Sequence, residues 1–213
     1  MLDLLAAFGT SLVLGMRHAT DADHVVAVTT IVSRERSLAR AGSIGALWGL
    51  GHTLTLFAVG GAIIGLRLTL TPRVGLALEF AVALMLVGLG LLNLFDVRLH
   101  RHRLADARPL LVGAVHGLAG SAAAVLLVLP LIEDVRWAVL YLLVFGLGTM
   151  VGMALVTIAL AAPATLAARR MQSMERGLRL TSGALSVAVG LWLAHALVAG
   201  DGLFSAAPRW TPG

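Results

Sequence analysis

Residues 15–28 read GMRHATDADHVVAV, and they place Arg17, His18, Asp21, Asp23 and His24 inside an apolar run that extends from about residue 2 to 32. Ionisable side chains in hydrocarbon cost several kcal/mol each, so a cluster of them within a span points to function. The surroundings read as membrane. Hydrophobic residues make up 59% of the 213-residue chain, charged residues only 13%, and the mean hydropathy is +0.94. At roughly 20 residues per crossing, this length accommodates about six spans with short connections and leaves no room for a soluble domain. The chain is therefore expected to be an all-α integral membrane protein, 1–213 forming a single transmembrane domain.

Apolar segments fall at about 2–32, 41–66, 74–95, 109–132, 137–162 and 178–199. The first is too long for one simple span and is expected to be kinked or broken near residues 15–24; hydropathy alone leaves open whether it forms one helix or two. The net charge of +5 arises from sixteen Arg and no Lys. Eleven of these lie in the connections SRERSLAR, DVRLHRHRLADAR and ARRMQSMERGLR, whereas the alternate connections and the C-terminal tail carry only Arg67, Arg73, Arg136 and Arg209. They read as topology signals and not as a nucleic-acid surface. The positive-inside rule then puts the first set in the cytoplasm and both termini outside the cytoplasmic (inner) membrane. The N-terminal stretch MLDLLAAFGTSLVLGM lacks a basic region and carries Asp3, so no cleavable signal peptide is expected. With no Cys, any metal must be held by nitrogen and oxygen.

The two halves also resemble each other. GMRHATDADHVVAV aligns with GAVHGLAGSAAAVL, pairing Gly15 with Gly113 and His18 with His116; WGLGHT at 48–53 aligns with FGLGTM at 145–150. GLALEFAVALMLVGLGLLN at 75–93 aligns with GLRLTSGALSVAVGLWLAH at 177–195. We read two three-helix repeats, about 1–96 and 109–200. An odd number of spans per copy makes the repeats inverted, an architecture in which substrate binds near the midplane at the repeat interface. The ionisable groups are not symmetric: His52 aligns with Thr149, and Asp21, Asp23 and His24 align with Ala119, Ser121 and Ala122. Any site belongs mostly to the first copy.

His18, Asp23, His24 and His52 are the leading metal-ligand candidates, with Asp21 and His116 less firmly placed. On a straight helix His18 and His24 lie about 9 Å apart along the axis, so unwinding between Gly15 and Asp23 is expected where the backbone lines a cavity; a relay of two successive positions is the alternative. Asp21 could ligate, pair with Arg17 or orient a histidine. Asn93 and His195 suit helix-end bonding, His100 and His102 a solvated loop, Glu79, Glu133 and Asp134 a wet outer rim, and Met150 and Met153 the core.

These residues also carry a family likeness. His18, Asp23 and His24 form H-x4-D-H within RHATDADHVVAV, which resembles the signature of the nickel/cobalt transporter (NiCoT) family, and LWGLGHTLT at 47–55 resembles that family's second motif, with His52 at its histidine. GLAGSAA and FGLGTMVGM are similar to the shorter, six-span UreH-like nickel permease branch. The resemblance implies a permease for Ni2+ and Co2+ in which His18, Asp23, His24 and His52 form or line the metal path. The chain departs from the eight-span members in its length, and it shows GLAGS and FGLGTM where they carry acidic motifs.

The expected function is thus a secondary transporter, not an enzyme, that moves Ni2+ or Co2+ inward with the metal as substrate and no prosthetic group. Imidazole and carboxylate suit these ions. Histidine must be neutral to ligate, so transport should weaken below about pH 6. No nucleotide-binding loop is present. Efflux or non-metal export on a related scaffold, and a metal-dependent accessory subunit embedded in the membrane, are the alternatives. The expected partners are the ion and the lipid bilayer; a homo-oligomer is compatible with the sequence.

Overall fold

The computed structural model describes residues 2–33, 35–66, 71–97, 103–118, 132, 134–168 and 172–210. Among these the chain is all helical: α1 (Leu2–His18), α2 (Ala22–Val32), α3 (Leu38–Leu66), α4 (Pro72–Leu94), α5 (Arg103–His116), α6 (Val135–Ala168) and α7 (Gln172–His195), the last running into a π-helical turn, Ala196–Gly200. Among the described residues, four stretches are long and apolar enough to cross a membrane: Leu38–Ala62, Pro72–Leu94, Val135–Pro163 and Glu175–Gly200. The chain is a multi-pass membrane protein by this measure. The fourth apolar segment of the sequence lies largely outside the described residues, as do Ala119, Ser121, Ala122, His100, His102, Glu133 and Arg67.

The long first segment is two helices, separated only by Ala19–Asp21. Thr20 causes much of this: its backbone N–H donates to the Arg17 carbonyl at 2.8 Å and its hydroxyl donates to the same oxygen at 2.6 Å, closing a tight turn where a helix would continue. Asp21 then adopts an extended conformation (φ −60°, ψ 146°) at the N-cap position, and α2 restarts with Asp23 in its first turn. Neither piece reaches the roughly 20 residues of a full crossing. The break is narrower than the Gly15–Asp23 window expected from sequence.

Small residues set how the helices meet. α1 and α6 run in the same direction, Gly15 packing on the Phe145 carbonyl and Gly148 on the Leu12 carbonyl. α3 and α5 also run together, with Gly113 on the Trp48 carbonyl and Gly51 on the Leu110 carbonyl. A Cβ at any of these four positions would overlap the facing backbone, which is why the bundle uses glycine there. α3 and α6 are antiparallel, Gly49 meeting Met150 and Gly146 meeting Thr53. α4 and α7 are likewise antiparallel: Gly90 faces the Gly183 carbonyl and Val187, and Gly190 faces the Ala83 carbonyl and Val87. Gly88, which aligns with Gly190 in the sequence, has open space beside it.

Buried polar groups tie the helix ends together. The Asn93 amide donates to the Thr30 carbonyl at 2.8 Å and to the Ser33 hydroxyl at 3.1 Å, joining α4 to α2. The Arg179 guanidinium donates to the carbonyls of Asn93 and Leu94, capping the C-terminal end of α4. Arg36 pairs with Glu175 at 2.6 Å between the α2–α3 connection and α7. At the opposite end, the chain after Gly200 folds back on α4. The Trp210 ring covers Gly75, and its Nε1–H donates to Glu79 Oε1 at 2.8 Å. Glu79 is therefore a partner of this strap and not a free rim carboxylate. Met153 is core, and Met150 packs against Gly49. His195 is exposed.

Candidate metal centre

The break between α1 and α2 brings together residues that a straight helix would hold apart. His18 ends α1, while Asp23 and His24 open α2, so the turn at Ala19–Asp21 folds the two imidazoles to a ring-centroid distance of 4.6 Å. α3 adds His52 and α5 adds His116, the last residue of its helix. His24, His52 and His116 are fully buried and His18 nearly so, whereas the Asp23 side chain is 24% exposed. All six candidates from the sequence lie in one cluster.

Its hydrogen bonds follow a single pattern. His18 Nδ1–H donates to Asp21 Oδ2 at 2.9 Å, which leaves a lone pair on His18 Nε2. His52 Nε2 lies 3.1 Å from that atom and is therefore its donor. Asp23 serves the other two histidines: Oδ2 accepts from His116 Nε2–H at 2.9 Å, and Oδ1 accepts from the His24 backbone N–H at 3.0 Å and from Nδ1–H at 3.2 Å. With all four rings neutral, these bonds assign every tautomer from the network. They leave the lone pairs of His24 Nε2, His52 Nδ1 and His116 Nδ1 buried and without a partner among the described residues. Buried polar atoms are ordinarily satisfied. Imidazole lone pairs left bare in this way are of a kind that suits a transition-metal ion.

Two groups of three residues have ligand atoms within 4.8 Å of one another: His18, His24 and His52, and Asp23, His24 and His116. Asp21, half exposed, is bonded to His18 Nδ1. Two aromatic residues overlooked in the sequence wall the cluster. Trp48, one helical turn before His52, stacks on His24 with centroids 5.7 Å apart and planes 20° apart, and Phe145 lies 5.8 Å from His18. The i, i+4 spacing of Trp48 and His52 put both on one helix face, a signal present in WGLGHT.

Comparison with known proteins bears on what this cluster serves. The chain is similar to the urease accessory protein UreH of Bacillus sp. (strain TB-90), at 35% identity over 220 residues that span 95% of this chain and 96% of that protein. The chain belongs to the UreH family. No protein-family model matches it, and no solved structure does. The likeness runs over nearly the full length of both chains, and it agrees with the UreH-like branch suggested by the motifs.

Proposed function

We propose that this UreH-family chain is a secondary permease that carries Ni2+, and Co2+ as a close mimic, inward across the cytoplasmic membrane. The observation that carries this reading is the buried trio His18, His24 and His52 at a helix break inside apolar helices. Buried histidines with bare lone pairs and one carboxylate, with no thiolate in the chain, match an ion that takes nitrogen and oxygen ligands and retains water. Urease is a nickel enzyme, and the relative's name as a urease accessory protein suits a supplier of that metal. In this reading His18, Asp23, His24, His52 and His116 contact the ion, and Asp21 orients His18.

The architecture that supports such a path is six spans arranged as two inverted three-helix repeats, about 1–96 and 109–200. The support is the reciprocal packing. Gly15 on Phe145 mirrors Gly113 on Trp48, Gly51 on Leu110 mirrors Gly148 on Leu12, and Gly90 on Val187 mirrors Gly190 on Val87. Such pairs suit a pseudo-two-fold axis in the membrane plane with the site beside it. The Arg distribution orients the assembly with both termini outside. At 100 mV an entering divalent cation gains about 4.6 kcal/mol, enough for roughly thousandfold accumulation, so a uniporter needs no ATP.

The test is nickel accumulation in a host that lacks its own high-affinity uptake, comparing wild type with His18→Ala and His24→Ala at matched membrane expression. Wild type is expected to accumulate the metal, and both variants to fall to the level of empty cells. Wild type at the empty-cell level refutes import, and a fall below that level establishes export instead.

A further inference from the structure

The two ligand groups overlap in one residue. His24 belongs both to the trio with His18 and His52 and to the trio with Asp23 and His116. A neutral imidazole has a single lone pair, its second nitrogen carrying the proton. His24 can therefore complete one group or the other, but not both at once. Building on the permease reading above, we infer that the chain holds its ion in two alternating positions, Asp23/His24/His116 and His18/His24/His52, and passes it between them on His24.

The two positions differ in ways that suit a hand-over. Asp23 is 24% exposed on its side chain, whereas His24, His52 and His116 are wholly enclosed. An ionised carboxylate at this depth is not left against lipid, so its open side faces water. The Asp23 group also supplies the negative charge that offsets the dehydration of a divalent cation, and this makes it the position of capture. The His18 group is built of neutral nitrogens and is closed over by Phe145 and the packed backbones of α1 and α6, which makes it the occluded position. His24 is clasped between its neighbours, with ring centroids 4.1 Å from His116 and 4.6 Å from His18, so the ion moves only a few ångströms while one ligand stays attached. The positions draw on different parts of the chain: His116 comes from α5 and His52 from α3. A single tetrahedral site would leave one of these two dispensable.

The experiment titrates the purified full-length chain in detergent with Co2+, read by its ligand-field absorption, and assays Ni2+ uptake by the same proteins in vesicles. Wild type is expected to bind one ion. His52→Ala and His116→Ala should each retain one ion, with Co2+ spectra that differ from each other, and each should lose uptake by roughly tenfold or more. His24→Ala should bind none. His52→Gln and His116→Gln, which keep volume and polarity, repeat the comparison, with folding checked by circular dichroism and size-exclusion chromatography. Two tightly bound ions in wild type would overturn the proposal, as would normal uptake with an unchanged spectrum in both His116 variants, or complete loss of binding in folded His52 or His116 variants. Wild type that binds and transports nothing would instead overturn the permease reading beneath it.

Discussion

Asp21 and Asp23 stand two positions apart and serve different histidines. Asp21, 42% exposed on its side chain, holds His18 Nδ1, while Asp23 lies between His24 and His116. Asp21→Asn should therefore weaken metal uptake by roughly tenfold, in the range typical of groups that orient a ligand, and leave some transport. Asp23→Asn removes charge from the capture position and should abolish it. Initial uptake rates over a range of Ni2+ concentrations separate the two, and an Asp21 variant as dead as His18→Ala would make Asp21 a ligand. The sequence exposes His18, Asp23, His24 and His52 because ionisable side chains stand out in an apolar run. His116 is legible only through the repeat, as the partner of His18. Trp48 is legible only through its i, i+4 spacing from His52, and Phe145 carries no signal, since an aromatic residue in an apolar helix looks the same whether it faces lipid, core or a ring of histidines.

At the scale of the elements, glycine contacts decide how close the helices come. Gly51→Ala and Gly113→Ala put a methyl group into a facing backbone carbonyl, and neither Leu110 nor Trp48 can move its main chain cheaply. Overpacking of this kind costs about 1–3 kcal/mol. Each variant is expected to lose thermal stability in detergent, read as an earlier aggregation midpoint, whereas Gly61→Ala and Gly177→Ala, with open space at their Cα atoms, should match wild type. Equal midpoints for all four would mean that α3 and α5 do not meet along this face. A kink or break in the first segment is legible because its apolar run is too long for a span, though the sequence leaves open one helix or two. The exact place of the break is not legible, since it depends on Thr20 closing a turn onto Arg17. In the third segments glycine and leucine recur so often that neighbouring offsets align equally well in sequence, and the packing contacts made by Gly90 and Gly190 are not legible there.

For the molecule as a whole, orientation in the membrane is the largest expectation carried from the charge distribution alone. The chain contains no cysteine, so single substitutions report it directly. Ser37→Cys, exposed in the connection ahead of α3, should be shielded from a membrane-impermeant thiol reagent applied to intact cells, and Ser205→Cys, exposed in the C-terminal strap, should react. The reverse pattern would invert the topology and with it the direction of capture from the Asp23 side. One feature of the site also makes the protein its own optical probe. Of the four tryptophans, Trp48 alone lies against the histidine cluster, its indole stacked on His24; Trp137 and Trp192 are on the outer surface and Trp210 lies in the C-terminal strap. A paramagnetic ion held on His24 would drain the excited state of this one indole and spare the other three, so arrival and departure of the cargo can be followed as light in an unlabelled chain.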